Sequence, residues 1–124
     1  MDKYIKIFVL LGCIALPGVS HAANVVSGTS LAIKDIFFHA TVQTLPGNSG
    51  YGGMTQVRFA NINWNNSTTC SIYDVFIKKE DTHMISAVLA AHATGKPIRL
   101  YVDDSAEGQG VNNICYLRAV GLTQ

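Results

Sequence analysis

Asp81-Thr82-His83-Met84-Ile85-Ser86-Ala87-Val88-Leu89-Ala90-Ala91-His92-Ala93-Thr94-Gly95-Lys96-Pro97 carries both the start and the stop of one short helix. Asp81 or Thr82 offers a side-chain acceptor to the first-turn amides, which have no partner within a helix. Gly95 suits the left-handed position just past the last turn, and Pro97 forbids continuation. Met84, Ile85, Val88 and Leu89 recur at helical spacing and make one apolar stripe. Ser86, Ala87, Ala90 and Ala93 leave another face nearly bare. That face reflects helix propensity alone, or it lets a second element approach closely.

Outward from this helix the sequence reads as strands. Residues 68–78 form a cysteine-bearing strand on the leading side, and Ile98, Leu100 and Val102 alternate with Arg99 and Tyr101 on the trailing side. Farther out, 55–62 alternates Val57 and Phe59 against Arg58 and Ala60, and 112–122 supplies a last strand. The stretch 33–45 is rich in β-branched and aromatic residues (Ile36, Phe37, Phe38, Thr41, Val42) and reads as the first strand. It stops at the glycine-rich turn 46–53, which lacks the lysine and following helix of a phosphate-binding loop. Residues 23–30 are small and polar without a clear period, and read as a loosely held leader. The order is strand, strand, strand, helix, strand, strand. The fold class expected is therefore mainly β with one helix: a five-stranded OB-fold barrel, its helix between strands three and four. Other small α+β sheets share that order.

The chain has 124 residues, and Lys3 and Lys6 precede an apolar run that ends at Ser20-His21-Ala22. That pattern reads as a signal peptide over 1–22, too short for a membrane span, leaving one domain over 23–124. The remainder would carry seven basic and seven acidic residues. A neutral surface is poor footing for nucleic acid or for a polybasic membrane contact. Of three cysteines, Cys13 leaves with the leader. Cys70 and Cys115 then read as one disulfide in an exported domain, the alternative being two free buried thiols.

Little in the chain signals catalysis. His83 and His92 are nine apart, which matches neither a zinc helix nor a finger, and His92 suits a helix terminus instead. No nucleophile elbow marks a serine. Asp103, Asp104 and Glu107 lack the calcium-loop spacing and read as a solvated loop. Paired cysteines leave no thiol nucleophile, so no enzyme, metal or cofactor is expected. Trp64 stands out, because it sits in a polar turn beside Asn61, Asn63, Asn65 and Asn66. An aromatic ring packs on the C–H faces of a sugar while amides read its hydroxyls. The plainer alternative is that Trp64 folds back over the barrel mouth as core. Asn65-Asn66-Ser67 and Asn66-Ser67-Thr68 also match the glycosylation acceptor pattern, relevant in a eukaryotic secretory route.

From Cys70 to Gly95 the spacing resembles that of the B subunits of pertussis-like bacterial toxins, the typhoid-toxin and subtilase-cytotoxin types. The match continues through Pro97-Ile98-Arg99-Leu100-Tyr101 and the closing Ala119-Val120-Gly121-Leu122. The strand Ala40-Thr41-Val42-Gln43-Thr44-Leu45 and the turn Val102-Asp103-Asp104-Ser105 are closer to a small pertussis toxin subunit. The resemblance implies an OB-fold and a secreted homopentamer whose helices line a central pore. It also implies that the ring binds host cell-surface glycans and delivers an enzymatic A subunit. Two departures stand out. The family's strand-two cysteine falls near Val57 here, which re-routes the disulfide to Cys115. The family's sialic-acid serine falls at Phe38, with His39 beside it, unless Ser27 or Ser30 substitutes. The expected sugar-facing residues are therefore Phe38, His39, Asn61, Asn63 and Trp64.

Overall fold

The computed structural model describes residues 25–41 and 50–123; the expected signal peptide and residues 42–49 lie outside them. Two antiparallel sheets account for the strands. β1 (Val25–Leu31), β5 (Ile98–Asp103) and β6 (Leu117–Leu122) form one in the order β1-β5-β6. β2 (Ile33–Phe38), β3 (Thr55–Phe59) and β4 (Asp74–Ile77) form the other in the order β2-β3-β4. The protein is thus mainly β with one helix, and its described residues build two small sheets rather than the single five-stranded barrel expected.

Two features explain the difference. The segment expected as a loose leader is strand β1, held by backbone pairing from Val25↔Asp103 to Leu31↔Ile98. Ladder hydrogen bonds need no side-chain alternation, so the small residues of Val25-Val26-Ser27-Gly28-Thr29-Ser30 gave no period to read. The chain then breaks at Ala32 and continues as β2 in the other sheet. On the far side, a parallel bridge joins Phe76 of β4 to Tyr116 just before β6, and the Phe76 N–H donates to the Cys115 carbonyl at 3.0 Å. The third and fifth strands are also shorter than read, because 60–73 runs as bends with one bridge and the last strand is preceded by a 3-10 helix, Val111–Asn113, and two bridge residues.

Helix α1 (Thr82–Thr94) matches its expected frame. Its start differs in detail: no side chain caps it, and the Asp81 carbonyl accepts from the N–H groups of Met84 and Ile85. Its end is a Schellman motif, with Gly95 at φ 66°, Gly95 N–H on His92 O and Lys96 N–H on Ala91 O. Met84, Val88 and Ala91 are buried and Ile85 packs against the core, whereas Leu89 is 42 % exposed. The buried stripe is therefore narrower than the four residues suggested, and Ala91 joins it. Ser86, Ala90 and Ala93 are exposed.

The core fills the space between the sheets and the helix. Val57, Val75, Ile77, Val88, Ile98, Leu100 and Val102 are fully buried in it. Cys70 and Cys115 lie within the same cluster and are joined by a disulfide across 45 residues. Among the described residues, no helix is long and apolar enough to cross a membrane.

Candidate functional site

Antiparallel pairing decides which of the five expected residues meet. Ile33 pairs with Phe59 at one end of β2–β3, and Phe38 pairs with Thr55 at the other. Asn61, Asn63 and Trp64 follow Phe59, so they extend from the first end. Phe38 and His39 sit at the second, about 13 Å away along the strand at roughly 3.3 Å per residue. The expected single sugar-facing surface is thus divided, because a strand pair carries its two termini to opposite ends.

At the second end, Phe38 is 62 % exposed. His39 is engaged instead: its Nε2 lies 2.9 Å from Gln56 Oε1, and its ring is tilted against Tyr51 at 5.0 Å. Gln56 in turn donates to Asp74 Oδ1, which also accepts from Arg58 Nε at 2.9 Å. Arg58 lies over the Phe37 ring at 5.0 Å. This chain of partners links the end of β2 to β3 and β4.

At the first end, a hairpin closes over residues 60–73. The Phe59 N–H donates to Tyr73 O at 2.8 Å and the Ile62 N–H to Ile72 O at 2.6 Å, which brings Asn61 beside Ile72 and Tyr73. The Ser71 hydroxyl accepts from the Tyr73 and Asp74 amides and shapes the return. Trp64 is half-buried, packed on the core and bridged to Gly28, and its Nε1 donates to Ser71 O at 3.2 Å. Gly28 also lets Ile62 and Leu31 pack close beneath it, since a Cβ there would meet them at 2.8 Å and 3.0 Å. The indole therefore closes the core end, and a different aromatic faces water: Tyr73, 52 % exposed, next to the exposed Ile72.

Asn61 Nδ2 donates to Asn63 Oδ1 at 2.9 Å, holding the two amides together and leaving Asn61 Oδ1 and Asn63 Nδ2 for other partners. Residues 60–73 include no charged side chain. Tyr73 was not singled out in the sequence because it lies within an apolar run. Only the bend at Ser71 and the shortness of β4 turn it outward. The disulfide anchors the hairpin from below, with Ser71 N–H on Asn113 O at 2.7 Å and Gln109 Nε2 on Thr69 Oγ1.

A second polar group lies at the seam between the sheets. Asp103 is buried and accepts from Ser105 N–H at 2.9 Å and from Arg118 at 3.2 Å. The Ser105 amide holds its carboxyl below the ordinary 3.8; burial opposes this, while the Ser105 hydroxyl and Arg118 add to it. No group of three or more metal-ligating side chains occurs among the described residues.

No protein-family model matches the chain, and no curated protein or solved structure is significantly similar to it.

Proposed function

We propose that this chain is an exported OB-fold binding domain and acts as the glycan-binding B subunit of a pertussis-like toxin, assembled as a homopentamer with an enzymatic A subunit. What supports the OB reading is the strand order: β2 follows β1 directly after Ala32, and the parallel Phe76–Tyr116 bridge lies where a partly open barrel would bring its two sheets together. The observation that carries the assembly is the helix. α1 buries Met84, Val88 and Ala91 and turns Ser86, Leu89, Ala90 and Ala93 to solvent. The hydroxyls of Ser86 and Thr94 bond back to Thr82 O and Ala90 O, so neither projects a free donor from the helix. A backbone covered so thinly admits a neighbouring copy closely.

The sugar-facing surface is the hairpin end, with Tyr73 as the ring and Asn61 and Asn63 as the hydroxyl readers, while Trp64 supports them from beneath. Residues 60–73 offer no cation to a carboxylate, so a neutral sugar suits this end better than sialic acid. Binding per site is weak and gains from five tethered copies. The test is a glycan array probed with the disulfide-bonded protein, the Tyr73→Ala variant and the Asn63→Ala variant. Signal on neutral glycans, lost in both variants, supports the site; equal signal in all three removes it. The competing reading is a monomeric exported OB-fold protein of the cell envelope with no toxin partner. What favours the assembled reading over it is that Leu89 is exposed on the same helix flank as the small residues Ser86, Ala90 and Ala93.

A further inference from the structure

Where β4 ends and β6 begins, the two sheets diverge around a cleft of about 210 Å³. Lys78, Asp81, Asp103, Glu107, Tyr116 and Arg118 line it. Gly108 forms part of its wall, and a Cβ at that position would collide with the Asp103 carbonyl. The charges in this cleft are arranged unusually. Arg118 gives one amine to Asp103 and keeps its remaining donors, and Lys78 Nζ sits 4.9 Å over the Tyr116 ring. Neither cation forms an ion pair with Asp81 or Glu107, and those two carboxylates have no side-chain partner among the described residues. Opposite charges thus line one small cavity without neutralising each other.

Single-charge ligands fit poorly. A metal ion would meet two resident cations and no assembled ligand set. A simple anion would meet three carboxylates. A compact molecule carrying both charges satisfies both sides by charge-assisted hydrogen bonds. The volume lies below the roughly 300–1,000 Å³ of drug-sized sites, which restricts the ligand to a few heavy atoms. We propose that this cleft binds a small zwitterion of the amino-acid type. Its ammonium lies at Asp81 and Glu107, its carboxylate at Lys78 and the free donors of Arg118, and its methylene stem against Tyr116. The site is separate from the hairpin and independent of the glycan reading.

Isothermal titration of the disulfide-bonded protein tests this with glycine, β-alanine and γ-aminobutyrate, which space the two charges progressively. Acetate and methylammonium serve as single-charge controls. The expected result is saturable binding of at least one zwitterion and none of either control. Glu107→Gln and Lys78→Gln alter exposed side chains, and each should weaken that binding about tenfold with the ligand-free melting temperature unchanged. Absence of binding by all three zwitterions, equal binding by the controls, or full affinity in both variants overturns the proposal.

Discussion

Single residues divide here between support and contact. Trp64 and Tyr73 are both aromatic and both belong to the hairpin, yet only Tyr73 is mostly in water. Trp64→Ala should cost about 3 kcal/mol in chemical denaturation, because it opens the core and strips the Ser71 carbonyl of a donor. Tyr73→Ala should stay within about 0.5 kcal/mol of the parent, since it changes an exposed side chain, while abolishing glycan binding. Asp103 sets an acid limit on the fold. Its folded pKa is depressed, so its contribution is complete above its ordinary 3.8 and is lost as pH falls through the lower folded value. Denaturant titrations between neutral pH and pH about 3 should show stability dropping at the acid end, with a smaller drop in Asp103→Asn.

At the scale of elements, the helix and the disulfide make separable contributions. Gly95→Ala meets no neighbouring atom, so its whole effect is the left-handed backbone at φ 66°, and a loss of about 1 kcal/mol is expected by thermal melting. Closing 45 residues with the Cys70–Cys115 bridge should contribute about 4 kcal/mol on the chain-entropy model, which the double serine variant measures by urea unfolding. The helix was legible in the sequence because its signals are local: an apolar stripe, Gly95 and Pro97. The disulfide was legible because few cysteines leave few choices. β1 was not, since its stability lies in hydrogen bonds to β5, 67 to 78 residues away along the chain, and its small residues carry no pattern. For the same reason the site was half legible. The turn at Asn61–Asn63–Trp64 could be named, but which aromatic faces water depends on Gly28 and Ser71, and Phe38 and His39 separate only once β2 pairs with β3.

For the whole molecule, the account rests on the exposed flank of α1. Ser86, Leu89, Ala90 and Ala93 present there a face of short, uncharged side chains that a second copy could cover. Light scattering coupled to gel filtration of the disulfide-bonded protein, cut after Ala22, tests this most directly, together with the Ala90→Glu variant. We expect a particle of about 55 kDa, five times the roughly 11 kDa of one domain, collapsing to one domain in Ala90→Glu with its circular dichroism unchanged. A parent protein that elutes at about 11 kDa over the whole accessible concentration range would contradict the assembly and, with it, the toxin-subunit reading.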